Sequence, residues 1–138
     1  MKKIIIYFTL LALHVVLPFL SGVFAYYRAD QIIFSQTMEL DELYYASFLA
    51  GKFYLIMILP LSWFTCYVIN KYLRLLVLKL ILCPIMCSVI GILPVVFISA
   101  GRIFMPEAQL FLAFFNTSGL VFGFLFLIRT KARKYLQI

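Results

Sequence analysis

Carboxylates are scarce in this chain: five among 138 residues, against twelve Lys and Arg, with one histidine, one tryptophan and three cysteines. None of the five, Asp30, Glu39, Asp41, Glu42 and Glu107, lies inside a long apolar run. General acid–base work by a buried carboxylate pair is thereby excluded. A lone histidine rules out a paired-His metal helix, and neither a phosphate-cradling glycine loop nor a nucleophile with a neighbouring base is present. Cysteine is missing from every segment between apolar runs, so secreted-type disulfides and thiol oxidases with cysteine pairs in loops have no basis. Cys83 and Cys87, even with Cys66, supply too few ligands for a metal unless His14 joins them. The expectation is a non-enzymatic chain without metal or cofactor.

What the sequence has in abundance is apolar residues, 66% of the total. Reading the charges bounds four apolar segments, at about 4–25, 48–69, 80–101 and 108–128. Each holds at least ~20 residues, enough to cross a hydrocarbon core of about 30 Å at 1.5 Å per residue. The expected fold is an all-α membrane protein, a four-transmembrane-helix bundle of two hairpins forming a single integral domain. Between the segments lie an outer loop at 26–47 and a basic inner turn at 70–79, and a basic tail follows at 129–138. No gap between segments has room for a soluble domain.

Charge placement orients the bundle. Lys2, Lys3, Lys71, Arg74, Lys79, Arg129, Lys131, Arg133 and Lys134 fall on one side, whereas all five carboxylates fall on the other with Arg28, Lys52 and Arg102. Short loops rich in Lys and Arg stay in the cytoplasm, which places both termini there and the chain in a bacterial inner membrane. The formal charge of +7 is then a topological signal, and a basic nucleic-acid surface is not the reading. Val23-Phe24-Ala25 resembles a signal cleavage site, but the run before it exceeds the 7–15 residues of a signal core, so the first helix is expected to be retained.

Small and polar residues mark the faces that meet. In helix three Cys83, Cys87, Gly91, Pro94 and Gly101 share one stripe, and in helix four Gln109, Asn116, Gly119 and Gly123 do. The second-helix stripe is Gly51, Ser62, Cys66 and Asn70; the first-helix stripe is Tyr7, His14, Pro18, Ser21 and Ala25. Lipid tails are as apolar as Leu, so backbone approach through small residues joins such helices. Phe122 and Phe124 lie off the glycine stripe and are expected to tolerate Leu. Tyrosines collect at the edges, Tyr26, Tyr27, Tyr44, Tyr45 and Tyr54 on the outer side. Leu17-Pro18 and Leu93-Pro94 hint at a repeat that Leu59-Pro60 breaks.

Three groups carry the candidate chemistry. His14, Asn116 and Thr117 are polar at mid-membrane and expected at similar depth, where a histidine serves either as interhelical glue or in a proton or ion path. Cys83, Cys87, Gly91, Gly119 and Gly123 are the helix-packing set. Glu39, Asp41 and Glu42 form an outer acidic patch ahead of a helix that Thr37 would cap and that projects past the lipid.

Two functions follow from this content: intramembrane recognition of another membrane protein, or a small oligomeric transporter or channel using His14 and Asn116. In hairpin order and charge placement, though in no motif, the chain is similar to the four-helix immunity proteins that protect bacteria against pore-forming bacteriocins. The resemblance implies a membrane-inserting toxin as partner, met in the bilayer. Accessory subunits and inhibitors of larger membrane proteins share the same features. Membrane lipids, such a partner and a homo-oligomer are the expected associations, with no nucleic acid among them.

Overall fold

The computed structural model describes residues 1–136 and is all-helical over its ordered elements. Helix α1 runs Lys2–Phe34, α2 Leu40–Phe53, α3 Leu59–Tyr72, α4 Leu76–Ile90, α5 Ile92–Ile98 and α6 Pro106–Leu136. One π-helical segment, Tyr54–Ile58, joins α2 to α3 into a single rod. Four spans are long and apolar enough to cross a membrane: Lys2–Phe34, Leu40–Tyr72, Leu76–Ile98 and Pro106–Tyr135. This supports a multi-pass membrane protein.

Helices overrun the bounds that charge alone suggests. The expected outer loop at 26–47 is mostly helix: α1 continues through Tyr26-Tyr27-Arg28-Ala29-Asp30-Gln31, a stretch without Gly or Pro to stop it. It ends only where Ser35 turns left-handed (φ 53). Its 33 residues extend roughly 50 Å, well beyond a ~30 Å hydrocarbon core. The connection is residues 35–39, and Glu39 rather than Thr37 stands at the N-cap, with no side-chain cap bond. Asp41 and Glu42 do occupy the first turn of α2, where the helix dipole favours them. Likewise the inner turn at 70–79 contracts to 73–75, and the basic tail is helical through Leu136, with residues 137–138 outside the described region.

Prolines set the irregularities. The wide π turn lies just ahead of Pro60, which has no N–H to offer the Ile56 carbonyl and whose ring would crowd it. The expected third helix, 80–101, is instead α4 and α5 with a break at Gly91, four residues before Val95 and three before Pro94. Ala100 (φ 50) and Gly101 (φ 84) then reverse the chain, the larger positive φ falling on the glycine. Pro106 opens α6 at the first helical position, where its missing N–H costs nothing.

Helix α6 is the mast of the bundle: it packs along α1 and along α4, and α3 packs on α4. Contact pairs run antiparallel, Tyr26 with Phe111 and His14 with Phe122 between α1 and α6. Two cores result. Toward the end holding Asp30 and Glu107, here the acidic end, Tyr26, Ala50, Tyr54, Ile58, Val95, Ala108, Leu110, Phe114 and Phe115 pack together. Toward the end holding both termini, the basic end, the core is Cys66, Cys83, Cys87, Phe122, Phe126 and Leu127. Phe8, Phe24, Ile56, Phe64 and Phe97 point away from the bundle, as hydrocarbon-facing side chains do.

Candidate functional site

The buried face of α1 is a strict i, i+4 stripe of His14, Pro18, Gly22, Tyr26 and Asp30. Tyr7, Ser21 and Ala25, placed on that stripe by sequence, are only partly buried beside it. Its members meet α6, His14 on Phe122 and Tyr26 on Phe111. A Cβ on Gly22 would collide with Ser118 and lie 3.0 Å from the Phe114 carbonyl oxygen. Gly22 and Ser118 were not singled out from sequence, although the four-residue spacing from His14 through Pro18 points to Gly22.

His14 is 1% exposed and sits in an aromatic box. Its ring stacks on Phe122 at 4.2 Å between centroids, with Trp63 at 5.5 Å and Phe126 at 6.1 Å. Nε2 lies 3.2 Å from the Phe122 carbonyl oxygen, and since a carbonyl only accepts, Nε2–H is the donor. The Arg129 guanidinium lies over the Trp63 ring at 4.2 Å, closing the box toward the basic end. Asn116 is elsewhere: six residues from Phe122 along α6, it stands about 9 Å closer to the acidic end. The expected depth match of His14 with Asn116 and Thr117 therefore does not hold. Asn116 instead lines a groove of about 520 Å³ with Ile33, Ile103 and Gln109, and its buried Oδ1 has no partner; Thr117 is half-buried. Phe122, off the glycine stripe and expected to tolerate Leu, is fully buried and stacked on His14.

The helix-packing residues meet as backbone contacts. A Cβ on Gly119 would collide with the Cys87 carbonyl, one on Gly123 would lie 2.6 Å from Pro84 Cα, and one on Gly91 2.8 Å from the Phe115 carbonyl. Cys66 Sγ lies 3.3 Å from Cys87 Sγ, and Cys87 Sγ is 3.9 Å from the Ser62 carbonyl oxygen. All three thiols are free and buried. Among the described residues no three His, Cys, Asp or Glu side chains are grouped to hold a metal ion. Tyr54, expected at the membrane edge, is 1% exposed and donates to the Val15 carbonyl at 2.7 Å.

At the acidic end the elements splay. The last turns of α1, the start of α2 and the start of α6 leave a pocket of about 340 Å³, lined by Tyr26, Asp30, Thr37, Glu42, Glu107 and Leu110 among others. Of the acidic patch read from sequence, only Glu42 lines this pocket; Glu39 and Asp41 are exposed beside it. The structure adds Asp30 and Glu107, which sequence separates by 77 positions. Among the described residues no Lys or Arg lines the pocket. This convergence of three carboxylates from three elements is the candidate functional site.

Comparison with known protein families, curated proteins and solved structures finds no match to this chain.

Proposed function

We propose that the protein is a non-enzymatic polytopic membrane protein that recognises another membrane protein, or a membrane-inserting toxin, through its helix faces and its acidic end. A bacterial inner membrane with both termini in the cytoplasm is the setting that its segregated basic residues favour. One contrast carries the reading. Inside the bundle His14 and the thiols are enclosed by side chains, whereas Asp30, Glu42 and Glu107 open onto a common pocket without a basic residue in its lining. Uncompensated surface charge of one sign is complementary to a partner of the other and steers its approach. An accessory subunit, an inhibitor and an immunity factor would all use such a surface. The oligomeric-transporter reading has less support, because His14 and Asn116 sit at different depths and aromatic rings shut His14 in.

Purification in mild detergent, with identification of what co-purifies, tests this directly. A larger membrane protein in stoichiometric amount is the expected result, and its capture should fall about tenfold when Glu39, Asp41 and Glu42 are all replaced by Lys, with salt weakening the wild type similarly. Insertion should not change. A homogeneous oligomer of this chain alone would instead favour the transporter.

A further inference from the structure

Asp30 is an anomaly. It is 8% exposed, yet among the described residues its carboxylate has neither a hydrogen bond nor an ion pair. One turn earlier on the same face, Tyr26 is 7% exposed and its hydroxyl likewise makes no hydrogen bond among the described residues. Neither polar tip is sealed from the surface, and both residues line the pocket that Glu42 and Glu107 share. A carboxylate on a largely buried residue, left unpaired and opening onto a pocket, is an acceptor without a donor, and such groups in folded proteins are normally paired. Of the basic residues at this end, Arg28 donates to Gln31 at 3.1 Å, and Arg102 lines a neighbouring pocket together with Glu107, without an ion pair among the described residues.

We propose that the acidic-end pocket is a receptor for one guanidinium or primary ammonium group, with Asp30 as its buried counter-charge and Glu42 and Glu107 at its mouth. The donor set fits that chemistry. Carboxylate oxygens and a phenolic oxygen accept hydrogen bonds, and a guanidinium presents five N–H donors in a plane that pairs with carboxylates two at a time. A single chelated metal ion does not fit, since the carboxylates are not grouped to hold one. A volume of about 340 Å³ is at the small end for ligand pockets and suits a charged head with part of its aliphatic stem. The cation belongs either to an Arg or Lys side chain of a partner or to a free organic cation. Only the first source rests on the recognition reading above.

The test uses the purified full chain in lipid nanodiscs, with agmatine as probe, tetramethylammonium as a cation lacking N–H donors, and a capped apolar peptide bearing one Arg. Saturable agmatine binding is expected, at least tenfold tighter than tetramethylammonium and at least tenfold weaker in Asp30→Asn. Asp30→Asn should also be as thermostable as the wild type or more so without ligand, because no hydrogen bond or ion pair among the described residues depends on that charge; only the wild type should gain stability from agmatine. Tighter binding of the peptide than of agmatine assigns the site to a polypeptide partner, and the reverse assigns it to a free cation. Absence of saturable binding by both probes, or equal binding by Asp30→Asn, overturns the proposal. If agmatine binds while charge reversal at the rim leaves partner capture intact, the cation site stands and the recognition reading falls.

Discussion

The two halves of the bundle are closed by different side chains, thiols beside an aromatic box in one and interlocked rings in the other. Toward the basic end α4 and α6 touch backbone to backbone, with Gly119 against Cys87 and Gly123 against Pro84, and the three thiols share the core with Phe122, Phe126 and Leu127. Toward the acidic end Gly22 and Gly91 also bring backbones close to Phe114 and Phe115, and around them rings interlock: Phe19, Tyr54, Phe114 and Phe115 pack edge to face or tilted at 5.1–5.7 Å. In lipid no hydrophobic drive pulls helices together, so the smallest side chains decide where backbones meet. Beyond the last of these glycines toward the acidic end, Gly22 on α1 and Gly119 on α6, a pocket forms between α1, α2 and α6.

The comparison is broken most severely by filling the glycine seam. Gly119→Leu puts a side chain where the Cys87 carbonyl already sits, and overpacking of that kind costs on the order of 1–3 kcal/mol or prevents assembly. Gly123→Leu should act alike, while Phe124→Leu, at a lipid-facing site, should change little. Phe122→Leu should lose the His14 stack and fall between the two. Equilibrium unfolding in mixed micelles ranks the four variants; equal tolerance at Gly119 and Phe124 would mean that the seam is not what holds α4 to α6.

The seam was legible in sequence and the pocket was not, for a physical reason. Gly91, Gly119 and Gly123 declare themselves by spacing, because small-xxx-small patterns have few other uses in an apolar helix. The four spans were legible too, from length and hydropathy. Their ends were not: charged and aromatic residues mark where lipid stops, but a helix stops only where backbone groups find other partners. Reading 26–47 as loop removed Tyr26 and Asp30 from the α1 stripe, although both continue the four-residue spacing of His14, Pro18 and Gly22. The meeting of Asp30 with Glu107 depends on how far α1 overruns the bilayer beside α6, and no local pattern encodes that.

A milder probe lies at the boundary between halves. His14 donates to a carbonyl already inside helix α6, so removing the donor leaves no orphaned acceptor, and His14→Leu should cost only about 1 kcal/mol. His14→Gln keeps an N–H donor and should restore most of that. Both should leave partner capture unchanged between about pH 5.5 and 8, across the usual histidine range. Loss of function in both variants at normal expression would instead make His14 part of a working path, and the enclosed half of the bundle would no longer be merely structural.

The smallest effect is expected in the acidic half. Tyr54 donates to Val15 across the α1 interface at 2.7 Å, a bond between two helices whose neighbouring contacts are ring against ring. Tyr54→Phe keeps every ring contact and removes only the hydroxyl. Interhelical hydrogen bonds in membrane proteins average about 0.6 kcal/mol, because the separated helices also find partners for their polar groups. A loss of that order, several times smaller than for Gly119→Leu, is the expected result in the same unfolding measurement. A loss matching the glycine variant would mean that one polar contact, rather than the packing of Phe19, Phe114 and Phe115, sets the separation of the helices beneath the pocket.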